Sequence, residues 1–169
     1  MYSELNDLKA ALHQYFTSIK EGVIFLESAL FNRGRAAAAA SHAGLHVVSM
    51  EAEQALDAPL FFKQAIDEAE EWTTNAALID TAGKGLRRCI PRGFSYFHVS
   101  WAGGGYVHPI EEERSFPPAF GLDVAAGMLG EEPVGFGRKE AASKRTRSQE
   151  AQIARDFQAA WRAFDPFRQ

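Results

Sequence analysis

Two histidine pairs, a glutamate triplet and two basic runs are the residues of this chain whose types and spacing could do chemistry. His42 and His46 stand four apart in SHAGLH, a spacing that on a helix can bring two imidazoles to one metal ion. Gly44 and the following Val47-Val48 argue for a strand instead, which would still point both rings to one face. No Asp, Glu or Cys beside them completes a ligand set, so no metal and no cofactor is expected. His98 and His108 lie on the two arms of YFHVSWAGGGYVHPI, at a register expected to set them face to face. Such a pair suits acid–base work or a half-buried polar contact, and no nucleophile accompanies it. Glu111, Glu112 and Glu113 read as a solvated strand end. Gly103, Gly104 and Gly105 lack the helix start and the Lys-Ser pair of a phosphate-binding loop, and read as turn chemistry.

The basic residues carry more weight. Lys84, Arg87, Arg88 and Arg92 fall in one stretch punctuated by Gly83, Gly85, Pro91 and Gly93. Arg138, Lys139, Lys144, Arg145 and Arg147 form a second run. Each can neutralise a backbone phosphate, and Tyr96, Phe97, Trp101 and Tyr106 could stack on bases if exposed. The opposite reading, solubilising charges over core aromatics, fits the same residues. The formal net charge of the chain is −4, so any contact with nucleic acid must come from such local clusters.

The elements that must position these residues follow from periodicity. Residues 3–22 read as a helix with Leu5, Leu8, Leu12, Tyr15, Phe16 and Ile19 on its apolar stripe. Residues 22–27 and 45–50 read as strands joined by a surface loop at 31–44, forming a long-loop hairpin. Asp57 and Pro59 mark a helix start, with Leu60, Phe61, Phe62, Ala65, Ile66, Ala69 and Trp72 on its buried side. Residues 75–94 are glycine-broken, with a turn or two of helix. Strands at 96–101 and 106–110 make a glycine-turned hairpin in which Phe97, Val99 and Trp101 share the buried face. Helices at 116–129 and 148–167 flank a polar basic linker at 131–147. The order predicts one α+β domain: an antiparallel sheet of hairpins with helices on one side.

The composition agrees with one globular domain of 169 residues, 46% of them hydrophobic. The single cysteine, Cys89, can form neither an internal disulfide nor a cysteine zinc site, and a reducing compartment is the natural setting. The polar, amphipathic start and the lack of a long apolar run point to no leader and no membrane span.

The run from Arg87 to Gly130 resembles the C-terminal region of CwfJ-type pre-mRNA splicing factors. The matching features are Ile90-Pro91, Tyr96-Phe97, Val99, Gly104-Gly105-Tyr106, His108, Ile110-Glu111-Glu112, Phe116-Pro117, Phe120-Gly121 and Gly127-Met128-Leu129. The resemblance implies a histidine-triad-like (HIT-like) remnant at about 1–56 and a CwfJ-type module at about 57–169. Active HIT hydrolases carry alternating histidines on one strand with the middle one as nucleophile. The positions aligned here are His42, Gly44 and His46, so Gly44 has no side chain to attack with. The implied function is non-catalytic and nuclear: a domain of the late, intron-lariat spliceosome that binds protein and RNA, snRNA or the lariat. On that reading the hairpin at 96–110 is the family's structural signature and the sheet edge. The alternatives are a HIT-like nucleotide or phosphodiester hydrolase, and an adaptor for a lariat debranching enzyme or an RNA helicase.

Overall fold

The computed structural model describes residues 2–31, 44–69, 77–133 and 146–168. The elements are α1 (Tyr2–Ser18), β1 (Glu21–Ala29), β2 (Leu45–Glu51), α2 (Ala52–Asp67), β3 (Ile79–Asp80), α3 (Leu86–Cys89), β4 (Tyr96–Trp101), β5 (Gly104–Pro109), α4 (Phe120–Met128) and α5 (Arg147–Trp161). The five strands form one antiparallel sheet in the order β2-β1-β4-β5-β3. This is the α+β architecture that the hairpins predict, with β1 and β2 paired across their long connection.

Helices cover both faces of the sheet, not one. The reason is legible in β1, where Val23, Ile24, Phe25 and Leu26 are all buried in succession. Alternation sends Ile24 and Leu26 to one face and Val23 and Phe25 to the other, so each face needs its own cover. Ile24 and Leu26 join Phe97 and Val99 beneath Phe62 and Ile66 of α2 and Phe120, Ala125 and Met128 of α4. Val23 and Phe25 pack with Leu8, Leu12 and Phe16 of α1 and with Trp161 of α5. The ring of Phe97 is the hub of the first core. It stacks on Phe62 at 6.0 Å and meets Phe120 edge-on at 5.1 Å. Gly121 sits against it so closely that a Cβ there would lie 2.7 Å from the ring.

The glycine-turned hairpin forms, but its register differs from the expectation. Trp101 stands opposite Gly104 across a two-residue turn, with Gly103 in the left-handed region at φ 77°. That turn pairs His98 with Val107 and Phe97 with His108. His98 and His108 therefore point to opposite faces and do not meet. Both are buried, and burial holds the His108 ring below the usual histidine value despite its 3.0 Å contact with the Ala77 carbonyl. The hairpin is not the edge of the sheet either: β4 is its central strand and β5 is flanked by the two-residue β3. Trp101, expected in the core, is half-buried, whereas Tyr96 and His98 on the other face are buried.

Further boundaries shift for physical reasons. α2 starts directly after β2 with Glu51 as its N-cap, so Asp57 and Pro59 lie inside it. Ala58, Phe62 and Ile66 are its buried positions, while Leu60 and Phe61 face solvent. One turn of helix offers only one inward place to the Phe61-Phe62 doublet. Trp72 lies outside the described residues, as does most of the expected loop at 31–44. Glu113 is not a solvated strand end. It is buried, accepts a hydrogen bond from Ser95 Oγ, and accepts a second from the Phe31 amide at 3.1 Å. α5 begins with a capping box between Thr146 and Gln149. Its Phe157 and Trp161, with Phe164 just beyond, surround the Tyr15 ring of α1 at 5.3, 6.3 and 5.7 Å. No residue of α5 is fully buried.

Candidate nucleic-acid interface

On the α1 side of the sheet a polar gap separates two small apolar clusters. One is built on Leu12, Val23 and Phe25, the other on Ile90, Tyr96 and Val107. Between them opens a cleft of about 830 Å³. Its floor is four residues of β1 and β4 in two cross-strand pairs, Phe25 with Ser100 and Glu27 with His98. One wall is α1, through Lys9 and His13. The other is the loop Thr81-Ala82-Gly83-Lys84-Gly85 and the start of α3.

That loop is held in place by its own backbone. The Thr81 amide donates to the Gly105 carbonyl of β5 at 2.9 Å, and the Gly85 amide donates to the Thr81 carbonyl at 2.9 Å. The Ala82 amide donates to Asp80 Oδ1 at 2.7 Å, an Asx turn. Gly83 and Gly85 take φ of 68° and 74°, the left-handed region that a side chain would strain. The turn carries Lys84, Arg87 and Arg88 outward, exposed, along one side of the cleft. Four cations (Lys9, Lys84, Arg87 and Arg88) and one carboxylate (Glu27) line it, a formal charge of +3 in a chain of net charge −4.

The floor is internally bonded. Tyr96 Oη donates to Glu27 Oε1 at 2.5 Å, and His98 Nδ1 stands 3.9 Å from Glu27 Oε2. Lys9 Nζ donates to Ser100 Oγ at 3.2 Å and lies 5.6 Å from the centre of the Phe25 ring. Burial alone would raise the Glu27 carboxyl, but His98, Tyr96 and the Lys9 charge outweigh it and hold the group below its usual value. Burial lowers the Lys9 ammonium, with Glu27 acting against it. Tyr96 is pushed well above the usual phenol value by burial first and by the adjoining carboxylate second.

The structure thus brings Lys84, Arg87 and Arg88 together. Arg92 is exposed one turn further on and does not line the cleft. Arg147 is the exposed first residue of α5. Arg138, Lys139, Lys144 and Arg145 lie outside the described residues, as does His42. Gly44 immediately precedes β2, and His46 is exposed within it, opposite Leu26. Tyr96 and Phe97 are buried and cannot stack on a base, and Tyr106 packs edge-on against Trp101 at 5.0 Å. Trp101 alone of the four aromatics borders the cleft. Lys9 and Glu27 escaped the sequence reading. The available signals were a lysine beside Leu8 on the apolar stripe of α1 and a glutamate closing the apolar run VIFL. Among the described residues no group of three or more His, Cys, Asp or Glu side chains could hold a metal ion.

The family model described as "Protein similar to CwfJ C-terminus 2" matches residues 71–166, more than half of the chain. The chain belongs to this CwfJ C-terminal family. The chain is also similar to longer curated relatives. The CWF19-like protein 2 homolog of Drosophila melanogaster is 31% identical over 166 residues, 97% of this chain and 23% of that protein. CWF19-like protein 2 of Danio rerio is 34% identical over 135 residues, 79% of this chain and 14% of that protein. CWF19-like protein 2 of Homo sapiens is 46% identical over 78 residues, 45% of this chain and 9% of that protein. The chain therefore spans less than a quarter of the length of these relatives. The CwfJ match takes in the basic loop, both strands of the hairpin, α4 and α5.

Proposed function

We propose that this domain is a non-catalytic RNA-binding module of a CwfJ-type pre-mRNA splicing factor, working in the nucleus on the sugar–phosphate backbone of a spliceosomal RNA. The observation that carries the reading is the +3 cleft, with Lys84 on the hydrogen-bonded loop and Arg87 and Arg88 on α3 along its wall. In a net-acidic chain, a concave site with four cations against one carboxylate is a place that can receive a polyanion. Phosphates meet the loop from outside, on the side of the sheet that carries α1. The CwfJ family membership supports the splicing setting, and on this reading the RNA is an snRNA or the intron lariat.

The test is binding of a fluorescein-labelled 12-residue oligouridylate by the full chain, followed by anisotropy across a salt series. Each phosphate contact on a single strand adds about 0.7 to the slope of log affinity against log salt. The triple variant Lys84→Glu, Arg87→Glu, Arg88→Glu should lose about 2 units of that slope and bind at least tenfold more weakly. A triple variant that binds like the wild type sinks the proposal and favours a protein adaptor.

A further inference from the structure

We propose that the Glu27–His98 pair on the floor of this cleft reads the 2′-hydroxyl of a ribose, so that the domain prefers RNA to DNA. This deepens the RNA-binding reading and rests on it. His98 is 6% exposed, lines the cleft, and its Nδ1 has no hydrogen-bond partner. Nδ1 and Glu27 Oε2 are 3.9 Å apart, too far for a direct hydrogen bond. One oxygen atom about 2.8 Å from each would bridge them, and because Nδ1 is closed to solvent in the free chain the His98 ring must turn toward the cleft to receive it.

The chemistry of the two partners selects what that oxygen belongs to. Glu27 is held as a carboxylate and only accepts. Tyr96 Oη already donates to its other oxygen, at 2.5 Å, which fixes the direction in which Oε2 is offered. A nitrogen beside a carboxylate keeps its proton on that side, so Nδ1 donates. The fitting group must therefore accept from Nδ1–H and donate to Oε2. A hydroxyl does both. An ionised phosphate oxygen can accept but has nothing to donate, and the Glu27 charge repels it. Phosphate belongs instead at Lys84, Arg87 and Arg88, across the cleft on the loop wall. A ribonucleotide carries both a phosphate for the wall and a hydroxyl for the floor, and the 2′-hydroxyl is the group that separates RNA from DNA. Ser100 and Lys9, already bonded to each other at 3.2 Å, close the floor at the next pair.

The decisive comparison uses the wild-type chain and three 12-residue strands of one sequence: oligouridylate, its 2′-deoxy form and its 2′-O-methyl form. The oligouridylate should bind about tenfold more tightly than either, because a hydrogen bond to a buried charged group is worth about that factor. The methyl ether still accepts but cannot donate to Glu27, so it should behave like the deoxy strand. Glu27→Gln and His98→Phe should each bring the ribo-to-deoxy ratio close to one, and Glu27→Gln, which removes a negative charge from the cleft, should tighten deoxy binding. Uridine monophosphate as competitor separates two sources of the ribose: displacement at low millimolar levels means that one nucleotide suffices, and no displacement means that a strand is required. Equal wild-type affinity for the three strands overturns the hydroxyl proposal and leaves phosphate binding standing. So does a ratio unchanged in Glu27→Gln with its melting temperature preserved. Absence of binding to any strand, or binding that the Lys84, Arg87 and Arg88 reversals leave unchanged, overturns the RNA-binding reading itself. The strand comparison needs no variant to fold.

Discussion

Tyr96 on β4 donates its phenolic hydrogen to Glu27 on β1 at 2.5 Å, tying together the two central strands from beneath α1. The tie needs the carboxylate, and the surroundings keep the Glu27 pKa below its usual 4.5. Between that value and the lowered one the unfolded chain binds a proton that the folded chain does not. Stability therefore rises with pH through this window, is fully present above about 4.5, and is lost as acid protonates the folded group. Glu27→Gln should flatten this acid limb. Urea unfolding measured from pH 6 down to pH 3, wild type beside variant, checks it; parallel curves would mean that Glu27 contributes no such term.

Phe97 and Trp101 share a face of β4 but not a fate. Phe97 is 1% exposed amid Phe62, Phe116 and Phe120, whereas Trp101 is half-buried at the hairpin end. Phe97→Ala should cost about 3–5 kcal/mol and Trp101→Ala clearly less. Chemical denaturation of both variants gives the ranking, and the reverse order would misplace the core.

Two glycines of α4 should answer oppositely to alanine. A Cβ at Gly121 lands 2.7 Å from the Phe97 ring and 3.3 Å from Leu26 Cδ1, and both neighbours are fully enclosed. Gly121→Ala should destabilise by about 1–3 kcal/mol. Gly127 has nothing within 4 Å of such an atom, so Gly127→Ala should gain about 0.5–1 kcal/mol from backbone entropy. Thermal melts of the pair are sufficient.

The cleft divides the basic residues of one short stretch into two groups. Arg88→Glu should weaken binding of labelled oligouridylate several-fold and lower its salt slope by about 0.7, whereas Arg92→Glu should leave both close to wild type. Equal losses at the two positions would show that the whole segment acts as a diffuse positive surface.

The hairpins were legible because β-branched and aromatic runs bounded by glycine leave little choice of local structure. What the runs do not carry is register. Turn length fixes it, and a change of one residue exchanges the faces of a strand. A two-residue turn at Ala102 and Gly103 is what separates His98 from His108. Burial on both faces was missed for a related reason: alternation assigns a residue to a side but says nothing of what covers that side. The partners of Glu27 illustrate it. Tyr96 and His98 follow it by 69 and more positions and meet it only through β1–β4 pairing. The basic loop was visible because glycines and cations are local signals, while Lys9, contributed by a helix far off in sequence, offered only its place beside Leu8 on the apolar stripe of α1.

The docking of α5 carries a dynamic consequence. Its three aromatic contacts reach back to Tyr15, across most of the chain, and no residue of α5 is fully buried. Closing so long a loop is entropically costly, and the reward is a shallow aromatic seam. α5 is thus cheap to release, a cooperative unit whose amides should exchange with deuterium well before those of β4. Its release would uncover the Tyr15 and Phe16 side of α1, so the wall that holds Lys9 over the cleft is clamped by a helix that is itself only shallowly held.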